Sequence, residues 1–334
     1  MARPPGRVDV SVLTPVLNEE EHIREAVESM RSQRFEGELE FIFVDGQSAD
    51  RSAELLRELA DGDPRIRVLD NPSRRTPQGL NIGLDSARGE FVARMDAHTY
   101  YPPDYLQVGV DRLRRGQAEH VSGPQLAHGD GTWSRRVALA LETRLGTGGA
   151  QFRHLSGEEI EVDSGFTGIW RRATLEAQGG WDEEWWNDQD SELAARIRQA
   201  GGRVLCLPEM GAHYVPRNSL RALARQYWRY GHYRAKTSGR HPETMRRSHV
   251  LAPGLVVALV AGAAGGRAAR AGLAVYALAL AGVSASAARD AEHPLDAASL
   301  PLVFACMHLS WGFGFLAGCL RWGPPLEALR QLAR

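Results

Sequence analysis

Short apolar strands alternate with amphipathic helices over the first third of the chain, and this alternation restricts the fold more than any other feature. Strands are predicted at residues 8–14, 40–45, 65–69 and 91–95, and helices at residues 18–30, 51–60 and 77–87. Because parallel strands need a crossover between them, this order favours a doubly wound parallel sheet with right-handed connections. We therefore predict an α/β fold whose ligands bind beyond the carboxyl ends of the strands.

Polar residues stand where the predicted strands end. They are Asn18 and Glu19, which with Pro15 follow the first strand, Asp45 at the end of the second, and Asp96 and His98 after the fourth. Since the carboxyl ends of parallel strands meet at one edge of a sheet, we expect the three clusters to converge on one crevice. The first two could hold a nucleobase and a ribose, because carboxylates accept hydrogen bonds from base N–H and ribose hydroxyl groups. Helix capping explains Asn18 and Glu19 equally well.

The segment Asp96-Ala97-His98 has the spacing of a two-ligand metal site. In an extended segment, residues two positions apart point to the same side, so Asp96 and His98 can address one ion or one diphosphate. Carboxylates suit Mg²⁺ and Mn²⁺, and Mn²⁺ tolerates an imidazole better. The spacing therefore predicts a divalent cation, Mg²⁺ or Mn²⁺. The alternative is an Asp that caps a turn and is followed by an incidental His.

A second acidic cluster opens a helical pattern far along the chain and supplies candidates for a general base. Asp190 is the central candidate, and Asp188 and Glu192 compete with it. The amino terminus of a helix stabilises an ionised carboxylate through its dipole and its free amide groups. A general base must reach the hydroxyl that it deprotonates, which the sequence alone does not establish. The alternative is that all three are ordinary acids of a first helical turn.

Three further segments could contact a donor or an acceptor. Residues 74–83 combine cations with glycines near a helix start, where Arg74 and Asn81 could reach a diphosphate or a base. In residues 226–230, Gln226 and Arg229 could close over the diphosphate or grip an acceptor, or the segment could form an aromatic belt beside a bilayer. Remaining candidates are the sugar-stacking residues Trp181, Trp185 and Trp186, each of which could equally be core, and the structural or metal-binding His213.

Charge and hydropathy separate the chain into two parts. The 40 basic and 41 acidic residues give a net charge of −1, which argues against a nucleic-acid-binding protein. Three apolar stretches lie near the carboxyl end, at residues 251–265, 271–288 and 300–320. The last is long enough to span a bilayer, which takes about 20 residues, and the others are at or below the lower limit. We predict about three membrane helices, with a soluble Ala-rich bundle as the alternative.

Flanking residues bear on the cellular location. The first seven residues contain no apolar core of a signal peptide, so we expect the polar part of the chain in the cytoplasm. Arg246 and Arg247 before the first apolar stretch fit a cytoplasmic flank, whereas Arg267 and Arg270 oppose this topology. The three cysteines show no CxxC spacing, which argues against a zinc site and against a disulfide framework.

The motifs together resemble family 2 glycosyltransferases with the GT-A fold. The resemblance covers nearly the whole chain and is strongest over residues 8–236. It rests on residues 14–20 (Thr-Pro-Val-Leu-Asn-Glu-Glu), 44–50 (Val-Asp-Gly-Gln-Ser-Ala-Asp), 96–98, 189–193 and 226–230. The Asp-Ala-His variant, Tyr230-Gly231 and the segment 308–315 look most like succinoglycan-type bacterial membrane glycosyltransferases.

This resemblance implies an inverting transfer from a nucleotide-diphospho-sugar, with a divalent metal. Carried over, it assigns Pro15, Glu19 and Asp45 to the nucleotide, Asp96 and His98 to the metal and diphosphate, and Asp190 to the base. It implies a catalytic domain at residues 1–245, a membrane region at 246–322 and a short polar tail at 323–334. We expect a multi-pass enzyme of the plasma membrane with its catalytic domain in the cytoplasm and a lipid-linked or glycan acceptor.

Three departures from the family pattern qualify these expectations. His98 replaces the usual second Asp of the metal motif, and Gln189 replaces the acid that often precedes the base. The last motif ends Arg229-Tyr230 where processive synthases have Arg-Trp. Two alternatives therefore stay open: a non-catalytic sugar-nucleotide-binding membrane scaffold, and a processive polysaccharide synthase.

Overall fold

The computed structural model describes residues 7–148, 157–289, 291 and 293–333. Contacts divide the chain into two compact units. The first comprises residues 1–126 and 154–214, and the second comprises residues 127–153 and 215–334. The predicted domain boundary at residue 245 stays a prediction. The division by contacts places residues 127–153 and 215–245 in the same unit as the apolar helices.

The first unit is a mixed α/β sandwich around an eight-stranded sheet, in the order β3-β2-β1-β4-β9-β6-β10-β8. A second sheet has three short strands in the order β5-β11-β7. The strands are β1 (Val10–Val16), β2 (Leu39–Asp45), β3 (Ile66–Asp70), β4 (Phe91–Arg94), β5 (Thr99–Tyr100), β6 (His120–Gly123), β7 (Gln125–Ala127), β8 (Ile160–Glu161), β9 (Phe166–Arg171), β10 (Val204–Cys206) and β11 (Ala212–Tyr214). The helices are α1 (Ile23–Arg31), α2 (Ser52–Asp61), α3 (Thr76–Ser86), α4 (Tyr105–Arg114), α7 (Arg172–Ala177) and α8 (Gln189–Gln199).

The predicted α/β class is confirmed, and the half of the sheet that carries the first polar clusters is parallel. β2 and β4 pair with β1 in parallel, and β3 pairs with β2 in parallel. A fully parallel sheet is wrong, however, because β9 runs antiparallel to both β4 and β6. The apolar run near residues 161–170, whose pattern on its own predicts one strand, forms two separate strands, β8 and β9. A local pattern of apolar residues does not encode the direction in which a strand joins its neighbours.

Burial explains why the first elements form where they do. β2 is buried along its whole length, as expected of a parallel strand covered by helices on both faces. α1 places Ile23, Val27 and Met30 in the core at helical spacing, as predicted. This packing leaves the carboxyl ends of β1, β2 and β4 at one edge of the sheet.

The second unit is helical. It contains α5 (Thr132–Leu141), α6 (Arg144–Thr147), α9 (Leu220–Arg240), α10 (Leu251–Ala263), α11 (Arg267–Ala287), α12 (Pro294–Trp322) and α13 (Leu326–Ala333). The apolar spacing over residues 133–153 predicts one amphipathic helix, but the described part contains two, α5 and α6, and residues 149–153 lie outside it. Among the described residues, α11 and α12 are long and apolar enough to cross a membrane. At about 1.5 Å per residue, α10 is shorter than the bilayer core of about 30 Å.

Glycines let α9 and α12 approach backbone to backbone. A Cβ atom at Gly231 would lie 2.0 Å from the carbonyl oxygen of Trp311, and one at Gly314 would lie 2.0 Å from that of Trp228. No larger residue fits either position without displacing a helix. The apolar cluster of the second unit joins α5, α9, α11 and α12 through residues such as Val137, Leu223 and Phe304 (all buried).

Candidate active site

The loops after β1 and β2 are joined by hydrogen bonds between side chains and backbone. The N–H of Asn18 donates to Ser48 Oγ at 3.0 Å, and Asn18 Oδ1 accepts from the N–H of Ala49 at 2.8 Å. Asn18 has a φ of 57°, a left-handed conformation that Asn tolerates better than most residues. The alternative that Asn18 caps the following helix is therefore wrong, as is the predicted helix start at residue 18: α1 begins at Ile23, and Asn18 binds the second loop instead.

Asp45 ends β2 in a fixed orientation. Its Oδ1 accepts from Ser48 Oγ at 2.6 Å, and its Oδ2 accepts from the N–H of Ser48 at 3.1 Å. Pro15 lies opposite Val44 near the end of β1, so both predicted nucleotide ligands stand at the same edge of the sheet. Each carboxylate oxygen has a second lone pair, which leaves Asp45 able to accept further bonds from a ribose.

Arg94 joins the two acidic clusters that are far apart in the sequence. Its Nε and Nη2 donate to Asp96 Oδ1 and Oδ2 at 2.8 and 3.1 Å, and its Nη1 donates to Asp190 Oδ1 at 2.6 Å. Only 7% of the Arg94 side chain is exposed. Burial lowers the pKa of this guanidinium, but the charges of Asp190 and Asp96 outweigh burial and raise its pKa overall. Arg94 is therefore a permanent cation between two carboxylates.

His98 contacts the first loop through Glu19. Its Nδ1 lies 3.0 Å from Glu19 Oε1, and an ionised carboxylate only accepts hydrogen bonds, so Nδ1 carries the proton. This tautomer leaves the lone pair of Nε2 available. Histidines that bind metals typically donate their other ring N–H to a carboxylate in this way. The ring also meets Tyr214 edge-on, with centroids 5.9 Å apart.

The donor set fits a divalent cation that shares its coordination sphere with a diphosphate. Among the described residues, no group of three or more His, Cys, Asp or Glu side chains could hold a metal ion by itself. Mg²⁺ and Mn²⁺ at phosphate sites commonly take only one or two protein ligands, with phosphate oxygens and water completing the shell. Asp96 and the Nε2 of His98 match that requirement.

Asp190 lies in the first turn of α8, where its two competitors have other contacts. Glu192 is fully buried and pairs with Arg196, which also donates to the carbonyls of Gln178 and Gly180. Asp188 precedes the helix with a φ of 63°. Burial raises the pKa of Asp190 above its ordinary value, and the charge of Arg94 opposes that rise. Because 21% of its side chain is exposed, Asp190 can still be reached by a substrate.

Glu192 gives a prediction about stability. Replacing it with Gln is expected to lower the free energy of unfolding by about 3–5 kcal/mol, since the Arg196 charge would lose its buried partner. Urea titrations followed by tryptophan fluorescence measure the change. The matched control is Glu176→Gln, because Glu176 also pairs with an arginine four residues away but is exposed, and it should cost less than about 1 kcal/mol. Equal losses in both variants would contradict the assignment of Glu192 as a structural ion pair.

α3 holds the loop that leads into α8. Asn81 Nδ2 donates to the carbonyl of Trp181 at 2.9 Å, and Asn81 Oδ1 accepts from the N–H of Trp181 at 2.9 Å. Arg75 lies over the ring of Trp186, with its guanidinium carbon 3.4 Å from the centroid. Trp181 and Trp185 are core residues, whereas Trp186 is 46% exposed. Of the three tryptophans proposed to stack on a sugar, only Trp186 thus offers an accessible face.

The remaining candidates are distributed over both units. Arg74 is exposed just before α3, with a φ of 60°. His213 lies in β11 opposite Tyr100 and is exposed. Gln226 and Arg229 belong to α9 of the second unit, where Gln226 Nε2 donates to the hydroxyl of Tyr230 at 2.9 Å. Their predicted roles in donor binding stay predictions.

Comparison with known proteins identifies the family. The model of glycosyl transferase family 2 matches residues 11–177, which include the loops after β1, β2 and β4. The succinoglycan biosynthesis protein ExoA of Rhizobium meliloti (strain 1021) is 32% identical over 233 residues, covering 69% of this chain and 70% of ExoA. The chain belongs to glycosyl transferase family 2. The predicted resemblance is therefore confirmed, and this family 2 chain is a glycosyltransferase rather than a binding scaffold.

Other relatives extend the picture of this glycosyltransferase. A dolichyl N-acetyl-alpha-D-glucosaminyl phosphate 3-beta-D-2,3-diacetamido-2,3-dideoxy-beta-D-glucuronosyltransferase of Methanococcus voltae is 24% identical, covering 66% of this chain and 71% of that protein. Among solved structures, the mannosyltransferase PcManGT of Pyrobaculum calidifontis, in complex with GDP-Man and Mn²⁺, superposes with a TM-score of 0.61. It is 21% identical and covers 91% of this chain and 88% of its own, so it establishes the fold, GT-A, and no more.

The sequence did not predict the structural roles of two residues of the candidate site. Arg94 received no role, although an arginine at the end of an apolar strand requires a buried partner and was a detectable signal. Glu19 was assigned to the nucleotide, whereas its side chain contacts His98. Neither partnership could be inferred from spacing, because each joins residues far apart in the chain.

Proposed function

We propose that this enzyme catalyses an inverting transfer from a nucleotide-diphospho-sugar to a lipid-linked or glycan acceptor in the synthesis of an extracellular or envelope polysaccharide. One observation carries the proposal: Arg94 holds Asp96, on the leaving-group side, and Asp190, the candidate base, at 3.1 Å or less. Direct displacement needs both parts, a site that binds the departing diphosphate and a carboxylate that accepts the proton of the attacking hydroxyl.

Each residue of the site has a distinct part in the proposed reaction. Pro15, Asn18 and Asp45 bind the nucleoside at the ends of β1 and β2. Asp190 Oδ1 is occupied by Arg94, so Oδ2 accepts the acceptor proton as the hydroxyl oxygen attacks the anomeric carbon. The bond between that carbon and the diphosphate oxygen breaks on the opposite face. This direct displacement inverts the configuration of the anomeric carbon. Arg74, Asn81, Gln226 and Arg229 are proposed as further donor-binding residues, of which Asn81 acts by fixing the loop before α8.

Asp96 and His98 would hold the divalent cation, Mg²⁺ or Mn²⁺. When bound there, the cation supplies positive charge to the departing diphosphate. Glu19 orients His98 by accepting its Nδ1 proton. Trp186 is exposed, and the guanidinium of Arg75 lies over its ring. This ring supplies an apolar face in the loop before α8.

We further propose that the enzyme is a multi-pass protein of the plasma membrane whose catalytic domain faces the cytoplasm. Support comes from α11 and α12, which are long enough to cross a bilayer by length and composition. It also comes from relatives whose names refer to polysaccharide or lipid-linked sugars. A membrane location would place the site beside a lipid-linked acceptor.

The activity is tested with the full chain in lipid nanodiscs. A panel of UDP-, GDP- and TDP-sugars is incubated with polyprenyl-diphosphate-linked saccharides, with Mn²⁺, Mg²⁺ or EDTA. We expect one donor class to give a product with inverted anomeric configuration by NMR, extended by a single residue. Retained configuration would refute the mechanism, and long products would favour the processive alternative.

Glu19 gives a prediction about cation affinity. Glu19→Gln is expected to weaken Mn²⁺ binding in the presence of the nucleoside diphosphate by about 10- to 100-fold, because a neutral amide orients His98 less strongly. Calorimetric titration measures this directly. Glu20→Gln is the matched control, since Glu20 accepts from the backbone N–H of Arg51 and has no contact with His98. Unchanged Mn²⁺ affinity in Glu19→Gln would show that the contact does not support the cation site.

The pKa of Asp190 predicts how activity depends on pH. Since burial raises this pKa above the ordinary value of 3.8, the base is protonated and inactive at pH values where an exposed Asp would still be ionised. The acid limb of kcat against pH is therefore expected above pH 3.8. A profile of kcat at saturating donor and acceptor measures it, and an acid limb at or below that value would contradict a buried base.

A further inference from the structure

Arg94 is buried and takes no chemical part in the proposed reaction. It ends β4, and its guanidinium donates hydrogen bonds to Asp96 and Asp190. Burying a guanidinium has a large desolvation cost, which offsets most of the attraction to its carboxylate partners. A buried arginine at this position therefore adds little to the stability of the sheet. An apolar residue would pack more favourably at the end of a buried strand. The arginine therefore requires an explanation beyond the stability of the fold.

The geometry of the contacts is specific to arginine. Two nitrogens form a parallel pair of bonds with Asp96, while the third reaches Asp190 in the first turn of α8. A planar guanidinium can hold two carboxylates in a fixed relation, whereas the ammonium of lysine is a single point of charge. Within the described residues, the Asp190 side chain has its one hydrogen bond from Arg94. The rotamer of the candidate base is thus set by Arg94.

We propose that Arg94 is a positioning residue that fixes the carboxylate of Asp190 relative to Asp96. The inference rests on the proposed function, because it takes Asp190 as the base and Asp96 as the ligand on the leaving-group side. Anchored bidentately to Asp96, the guanidinium presents Asp190 Oδ1 with one donor and turns Oδ2 toward the acceptor. The distance between the base and the leaving group is then set by the planar guanidinium of Arg94 and not by two carboxylates that move independently.

The first test replaces Arg94 with Lys. We expect kcat to fall by about 10- to 100-fold, because a misplaced base loses rate steeply with distance, while the KM for the donor changes less than about threefold. Mn²⁺-dependent binding of the nucleoside diphosphate, measured by calorimetry, should persist and also reports that the variant is folded. Loss of that binding with an unchanged kcat at saturation would assign Arg94 to the cation site and overturn the proposal.

A matched control is available at the start of β3. Arg65 donates from Nε and Nη2 to Asp63, two residues away, at 3.0 and 2.7 Å, which reproduces the bidentate contact between Arg94 and Asp96. In the part of the chain that the structure describes, the guanidinium of Arg65 bonds to Asp63 and to no second carboxylate. Arg65→Lys should therefore leave kcat within about twofold. An equal fall of kcat in both variants would reduce Arg94 to a structural ion pair and overturn the proposal.

A double-mutant cycle separates this inference from the proposed function. Asp190→Glu moves the carboxylate by one methylene and should lower kcat, after which Arg94→Lys should cost less than about twofold more. Multiplicative losses would show that Arg94 acts independently of Asp190 and would overturn the positioning role. If instead Asp190→Glu and Asp190→Asn both retain full activity, the base assignment itself fails, which is a different result.

Discussion

Replacing Asp190 with Asn is expected to lower kcat by about 1000-fold or more, while the donor still binds with nearly unchanged affinity. General-base catalysis contributes about 10²- to 10⁴-fold, and an amide cannot accept the proton of the attacking hydroxyl. The amide is nearly isosteric and keeps an oxygen toward Arg94, so the fold and the donor site should persist. Transfer is measured as release of nucleoside diphosphate and as labelled product, and donor affinity by calorimetry.

Asp188→Asn is the matched control for this experiment. It makes the same chemical change two residues earlier, at a φ of 63° that Asn adopts readily. We expect kcat to remain within about threefold of the parent enzyme. If Asp188→Asn abolished transfer and Asp190→Asn did not, the base would be Asp188, and the role assigned to the contact with Arg94 would have to be abandoned.

Replacing Asp96 with Asn is expected to remove the dependence of donor binding on a divalent cation and to lower kcat/KM by about 1000-fold or more. A carboxylate at the end of β4 is the one charged oxygen ligand assigned to the cation, and an amide is a much poorer ligand for Mg²⁺ or Mn²⁺. The key measurement is the affinity for nucleoside diphosphate with Mn²⁺ and with EDTA. In the parent enzyme these differ, and in the variant they should coincide.

Asp70→Asn controls for the general effect of losing an acid at this edge of the sheet. Asp70 ends β3 and is exposed, so it resembles Asp96 in its place at a strand end but lacks the contact with Arg94. Both affinities should match those of the parent enzyme within about twofold. If Asp96→Asn kept the full difference between Mn²⁺ and EDTA, the cation would not bind at Asp96.

The sequence predicted the part of the fold that depends on local patterns. The alternation of strands and helices up to β4 placed the early elements to within two residues, except for the start of α1, which lies five residues later than predicted; buried parallel strands and amphipathic helices have distinct periods. The antiparallel insertion of β9 between β4 and β6 was missed. Its direction depends on a connection of more than forty residues between β6 and β9, and the local apolar pattern of a strand does not encode the direction in which it pairs.

The candidate site was predicted as a set of residue types and not as a set of contacts. Three clusters at strand ends were found because strand phase brings them to one edge of the sheet. Local rules failed at Asn18, where the capping signal was outweighed by bonds to Ser48 and Ala49. They also could not choose among Asp188, Asp190 and Glu192, because the choice depends on which carboxylate reaches Arg94 and which is consumed by Arg196.

The apolar cluster of the second unit can form only after α12 has been synthesised, because its members lie far apart in the chain. Its α5 and α9 faces pack on α12, which is synthesised more than a hundred residues after α5. At about 5–20 residues per second, translation takes on the order of ten seconds to proceed from α5 to α12. During that interval the apolar side chains of α5, such as Val137 and Leu141, have no protein partner from α12. The apolar side chains of α5 therefore stay without this partner until α12 has been synthesised, and a stop codon before residue 294 would remove the partner of a helix encoded more than a hundred codons upstream.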